Sequence, residues 1–239
     1  MNYFLILVLF LIGCKTPETV TPPRTEPPPL VTPLPEQEGV ANTIVPLSWE
    51  LPTNDGQVNQ GAKPERRIWT LKLYEYIESN YDVLMSAKDI DTIIPNKSEL
   101  TKHQHIMALA ELVSTVTEYE SSWRPWLAVK DVNGRSSPEY MATGLCQMNS
   151  KDDQKNYRTG TTYTHEQLKD PIINLEVCVK ILVTVVNVRG KITFYSYEKS
   201  PVLRFFFATL VNDTAYGKKT LKAARARIQN VVDLTTQKK

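Results

Sequence analysis

Glu118-Tyr119-Glu120-Ser121-Ser122-Trp123-Arg124-Pro125 closes a run of helical periodicity, and the reading of this chain turns on it. Upstream, from about Lys102 to Tyr119, Ile106, Leu109, Leu112, Val113 and Val116 recur at the spacing of one helix face. The helix therefore ends in two carboxylates followed by aromatics and a proline. Carboxylates there face the negative end of the helix dipole, and Tyr119, Trp123 and Trp126 are placed to desolvate them. Both effects penalise the charged form and should raise the pKa. An acid still protonated near neutral pH is what glycoside cleavage requires. Two residues apart, Glu118 and Glu120 point about 200° from each other, so only one can face a cleft. The plainer alternative is two solvated glutamates on a fraying helix end.

The rest of the chain also reads as helical. Pro64-Glu65 opens a segment with Ile68, Leu71, Tyr74, Ile77 and Tyr81 at spacings of three and four. Asp170-Pro171 combines a good N-cap with a proline at the first helical position, and the helix it starts runs through Leu175, Cys178, Val179, Leu182 and Val186 to about Gly190. Ser200-Pro201 repeats the signal for a short apolar helix to Leu210. A last helix, about Lys218 to Asp233, has Leu221, Ala224, Ile228 and Val231 on one side. Asn133 to Tyr163 lacks periodicity and is rich in polar and turn residues, the mark of a functional loop. The fold class is mainly α, with no more than a few short strands.

Around the opening stretch, three further segments follow in order. They are Gly144-Leu145-Cys146-Gln147-Met148-Asn149, then Asp170-Pro171-Ile172-Ile173-Asn174-Leu175, then Cys178 and Leu182. This order resembles the soluble-lytic-transglycosylase family. Its signature is Glu-Ser-x-aromatic-x-Pro, Gly-Leu-Met-Gln, Asp-Pro-x-x-Asn-Leu/Ile-x-x-Gly and a final Ala-Tyr-Asn-Ala-Gly. The resemblance covers about Ile106 to Leu182 and implies a lysozyme-like single catalytic domain with an extra N-terminal helix. Cys146 replaces the family's Met and Cys178 its Gly, and the last motif is missing in clean form. Its tyrosine is expected at Tyr195 or Tyr197. A second register would place Val211-Asn212-Asp213 there and lose the tyrosine.

The resemblance implies cleavage of the N-acetylmuramic acid–N-acetylglucosamine β-1,4 bond of peptidoglycan. Glu120 would protonate the glycosidic oxygen and then, as a carboxylate, take the proton of the C6 hydroxyl, closing a 1,6-anhydro ring. Ser121, Gln147, Asn149, Tyr195 and Tyr197 are the implied substrate-binding residues; no metal or cofactor is implied. Two alternatives stand beside this. One is a hydrolytic lysozyme of the same fold using Asp131 or Glu139, since hydrolytic glycosidases normally need two carboxylates. The other is a peptidoglycan-binding lipoprotein without activity.

The two replacing cysteines fall in motifs that the family fold brings together, so a Cys146–Cys178 disulfide is the expectation for an oxidising exported compartment. His103 and His105 project about 200° apart on a helix and His165 is isolated, so zinc is not expected and all three read as surface residues.

The N-terminus reads as an address. Phe4 to Ile12 is an unbroken apolar run, too short for a bilayer span and suited to a signal peptide. Leu11-Ile12-Gly13-Cys14 resembles a bacterial lipobox, which implies cleavage after residue 13, lipid on Cys14 and anchoring in the cell envelope. Lys15, rather than Asp, favours the outer membrane facing the periplasm. Eight of the 16 prolines lie between Pro17 and Pro35, so Thr16 to about Glu38 reads as an extended tether of about 60 Å. Residues 14–63 are expected to be tether and 64–239 the helical domain, with Trp49 and Leu51 as candidates for docking on it. The 28 Lys+Arg against 26 Asp+Glu give a formal charge of +2, no argument for nucleic acid.

Overall fold

The computed structural model describes residues 44–54, 59–60, 62–130, 134–152, 160–195 and 208–237. In chain order they form an antiparallel pair, β1 (Thr53–Asn54) with β2 (Asn59–Gln60). Helices α1 (Arg67–Glu78), α2 (Tyr81–Met85), α3 (Ile90–Ile93) and α4 (Lys102–Ser121) follow. A second antiparallel pair, β3 (Ala128–Val129) with β4 (Ala142–Thr143), precedes α5 (Pro171–Arg189) and α6 (Ala215–Gln237). All of them belong to one compact unit, Gln37–Lys239. The signal peptide, Cys14, the stretch Thr16–Glu38, Asp131 and Tyr197 lie outside the described residues. So does the helix expected from Ser200-Pro201, apart from a 3-10 turn at Ala208–Leu210.

The chain is mainly α-helical, and α4 is its axis. Thr101 starts it with a reciprocal cap: its hydroxyl accepts from the Gln104 amide N–H, and the Gln104 side chain accepts from the Thr101 N–H at 2.9 Å. Residues 104–117 are buried without interruption, so the single apolar face seen in the sequence understates the helix, which is covered on every side. α6 covers one flank with Leu221, Ala224, Ile228 and Val231, all buried. α1 lies across a second flank with Thr70, Leu73, Tyr74 and Ile77 inward. Ile68 and Leu71 are only half-buried, because the buried face is turned by about one residue from the one expected. Tyr81 belongs to α2.

α5 packs on α1. Asp170 caps it by accepting from the N–H groups of Ile172 and Ile173, and Gly190 ends it with φ 69°. Its buried residues cover a broad face, while Glu176, Lys180, Thr184 and Asn187 line the side left partly or fully exposed. Asp89 ties its far end down, accepting from the backbone N–H groups of Ile192 and Thr193 at 2.9 and 2.7 Å.

The domain begins earlier than the composition suggests. Ile44, Val45, Leu47 and Trp49 are buried in the core, so the boundary expected at residue 64 is corrected to 44 or before. Trp49 is fully covered and its Nε1–H donates to Thr70 Oγ1 at 2.8 Å, whereas Leu51 stays exposed. Polar contacts hold this segment. Glu111, fully buried on α4, accepts from the Ser48 N–H at 3.0 Å. Glu50 accepts from Leu47 N–H and from Thr70. Burial pushes the Glu111 carboxyl up to about 7 against the opposing pull of its Ser48 bonds and the nearby Arg227. The histidines also depart from expectation: His105 is buried, with Nδ1 2.8 Å from Tyr81 Oη and Nε2 2.8 Å from the Lys97 carbonyl.

Candidate active site

α4 ends in backbone that glycine usually supplies. Ser122 and Trp123 have φ of 53° and 56°, each costing about 1–2 kcal/mol for an L-residue. Their N–H groups fold back on the Glu118 and Thr117 carbonyls at 2.7 and 3.4 Å. Trp123 holds the bend: it is buried, and its Nε1–H donates to the Ser114 carbonyl at 2.8 Å. The guanidinium groups of Arg66 and Arg227 both lie over its ring, 5.7 and 5.8 Å from the centroid. Ser121 is turned inward as well, donating to the Thr117 carbonyl at 2.9 Å, so the substrate contact expected of it gives way to an internal one.

The two glutamates part as the helical geometry requires. Glu118 pairs with Arg227 at 2.5 Å. Glu120 meets the segment before α6, where Thr209 donates to it through its hydroxyl at 2.9 Å and through its backbone N–H. Burial pushes the Glu120 carboxyl up to about 7; the two Thr209 bonds favour the anion and pull the other way without prevailing.

The polar loop forms a second wall. Asn174, fully buried on α5, fastens it by accepting from the Cys146 N–H at 2.9 Å and donating to the Thr143 and Leu168 carbonyls at 3.1 and 2.8 Å. Gly144 has φ 79°, and a Cβ there would lie 2.1 Å from Asn174 Nδ2, so only glycine fits. Its N–H donates to the Leu127 carbonyl at 2.9 Å, which joins the loop to the chain leaving α4. Gln147 has φ 49°, and its amide nitrogen donates to the Leu127 and Gly144 carbonyls. Asn149 accepts from the Asp152 N–H at 2.6 Å, bracing the loop. Burial, then Cys178 and then the Glu120 charge raise the Cys146 thiol, so this wall stands beside Glu120.

Cys146 and Cys178 do meet, as buried free thiols; the expected disulfide is corrected. Both are buried, where a free cysteine packs as a small hydrophobe.

A third wall is the start of α6. The Tyr216 hydroxyl donates to the Tyr119 carbonyl, and the two rings meet edge to face at 5.6 Å. Partial burial, then the Glu120 charge, raises the Tyr216 phenol. Gly217 permits the approach: a Cβ there would lie 1.9 Å from the Val211 carbonyl oxygen. The structure thus brings together Glu120, Thr209, Tyr216 and the Cys146–Gln147 wall.

Tyr195 is not among them. It lines a cleft of about 450 Å³ with Thr92, Asn212, Asp213, Lys218 and Arg225. The residue bonded to Glu120 is Thr209, near the second register, because the chain pairs Phe194 with Val211 and so carries Thr209 to the helix end. Thr209 had no signal in the sequence, being one hydroxyl in an apolar run. Tyr216 had one: Ala215-Tyr216-Gly217 keeps an Ala-Tyr pair and a nearby glycine in shortened form. Glu139 is exposed on a 3-10 turn.

Fold and site define a mainly α-helical domain with a buried, protonatable carboxyl group at the end of its central helix. No family model matches the chain, and no curated protein matches it. Among solved structures it is similar to Bd0314 DslA in a wild-type form, with 21% identity, a TM-score of 0.54 and coverage of 73% of this chain and 94% of that one. Two variants of the same protein, each with one glutamate changed to glutamine, match with TM-scores of 0.54 and 0.52 at 21% identity, covering 94% and 88% of their chains. The likeness extends over most of both chains and is one of fold.

Proposed function

We propose that this protein is a lysozyme-like peptidoglycan lytic transglycosylase, with Glu120 as acid and then base. One observation carries the reading: a carboxyl group held near pKa 7 at the end of a buried helix, met by a fixed hydroxyl and walled by a stapled loop. At neutral pH such a group exists in both forms, as an acid–base pair on one residue demands. Protonated Glu120 gives its proton to the glycosidic oxygen as the bond to the muramyl C1 breaks. The resulting carboxylate is stabilised by the two Thr209 donors and takes the C6 hydroxyl proton as that oxygen bonds to C1. Charge develops on Glu120 where donors already point at it, so no reorganisation is needed. Cys14, by its lipobox resemblance, would carry lipid and hold the domain at the outer membrane, facing the glycan strands.

Glu120→Gln tests the assignment. It should abolish release of muropeptides from isolated peptidoglycan, by about 10³-fold or more, while sedimentation with the polymer persists. An unchanged rate removes Glu120 from the mechanism.

A second reading is hydrolysis. The two glutamates varied in Bd0314 DslA stand eleven positions apart in that chain, and Asp131 stands eleven after Glu120 here. An acid–carboxylate pair would retain or invert at C1 and leave reducing ends. Product masses separate the two: anhydro ends are one water lighter, and reducing ends alone would make the protein a lysozyme.

A further inference from the structure

The chain has four tryptophans, and three are covered. Trp49 is fully buried and Trp123 is 6% exposed. Trp69 packs partly buried, edge-on to Trp49 and under the Arg66 guanidinium. Trp126 is 67% exposed, and among the described residues no ring or cation covers it. Tryptophan is highly buried on average, and Trp126 departs from the other three.

Its backbone, by contrast, is fixed. Pro125 sets the preceding φ. Arg124 returns to the Ser121 carbonyl through its backbone N–H at 3.2 Å and its Nε–H at 2.9 Å, and the Leu127 N–H donates to the Arg124 carbonyl at 3.1 Å. The Leu127 carbonyl then accepts from the Gly144 N–H and the Gln147 side chain at 2.9 and 3.2 Å. The short turn that carries the indole is therefore pinned at one end to the helix terminus bearing Glu120. At its other end it is pinned to the loop that walls the same site.

We propose that Trp126 is a carbohydrate-binding platform, on which one pyranose ring of the glycan strand stacks at the rim of the Glu120 site. The inference rests on the glycan-cleaving reading above and adds the residue that seats the strand. A pyranose presents an apolar C–H face bounded by hydroxyls, and an indole offers a flat apolar face with a polar edge. A platform with a preset backbone loses little conformational freedom on binding. Val129, three residues on and 43% exposed on β3, is the other exposed large apolar side chain of this segment. Trp123, the other tryptophan of this segment, cannot serve, because its ring is enclosed and its N–H is committed inside the fold.

The experiment uses the full protein with isolated peptidoglycan for kinetics and an N-acetylglucosamine oligomer for binding. Trp126→Ala should raise KM by about tenfold with kcat within about twofold, and Trp126→Phe should restore most of the loss. In the binding assay, the oligomer should change tryptophan emission in wild type and not in Trp126→Phe, while calorimetry still detects binding to that variant. An unchanged KM in Trp126→Ala, or an emission change that survives in Trp126→Phe, overturns the platform. If wild type neither binds nor cleaves glycan, the functional reading itself fails, and the platform falls with it. Unchanged thermal midpoints confirm that the substitutions act at the surface.

Discussion

Glu120 and Thr209 act as one unit. The hydroxyl and N–H of Thr209 favour the carboxylate, and burial favours the acid. Thr209→Val removes the hydroxyl donor and keeps the volume, so the Glu120 pKa should move further up. The proposed mechanism needs the acid form for bond cleavage, so it predicts that the alkaline limb of the rate–pH profile shifts to higher pH, with a lower maximum rate from the loss of a donor to the developing anion. A profile that stays in place would mean the hydroxyl does not touch the reacting carboxyl. Glu111 offers a separate test on stability. Its folded pKa of about 7 lies above the usual carboxylate value, so the native state holds an extra proton between about pH 4.5 and 7. Stability from this group is full below that window and is lost as pH rises through it. Glu111→Gln keeps an acceptor for Ser48 and cannot ionise. The variant should match wild type near pH 4.5 and exceed it at pH 8 by up to about 3 kcal/mol, read by denaturant titration at both pH values.

Among elements, those whose ends are fixed by their own side chains were legible. Asp170-Pro171 and the Thr101–Gln104 box place the starts of α5 and α4 by local chemistry, and Gly190 ends α5 as its sequence says. Glu120 was legible for the same reason, since the helix end, the aromatics and Pro125 all lie within a few residues of it. What escaped depends on partners far along the chain. Thr209 and Glu120 are 89 residues apart, and Ser48 and Glu111 are 63 apart. No local pattern encodes such pairs. The stapled loop can be tested at this scale. Gly144→Ala places a methyl against Asn174 Nδ2 and must open the turn. It should cost about 2–4 kcal/mol and reduce turnover out of proportion to any loss of folded protein, measured on the same sample by activity and circular dichroism. Retained stability and full turnover would mean the loop does not wall the site.

For the molecule as a whole, the irregular stretch 44–50 is part of the core although it lies between a proline-rich tether and a turn-rich segment. It is too short to show periodicity, yet Ile44, Val45, Leu47 and Trp49 are all buried. Full burial of side chains of this size contributes about 1.5–3 kcal/mol each, together comparable to the whole stability of a domain. A chain beginning at residue 64 should therefore lack a cooperative thermal transition, while one beginning at residue 44 should keep it. A sharp transition in the shorter chain would return the boundary to Pro64.

The dependence of α4 on α6 also orders events in time. A helix buried without interruption from residue 104 to 117 has no shelter while it is being made, because the helix that covers one flank begins only at Ala215. At about 5–20 residues per second, the ribosome leaves that apolar surface uncovered for several seconds. The packing of α4 is therefore complete only once the last helix of the chain has been made.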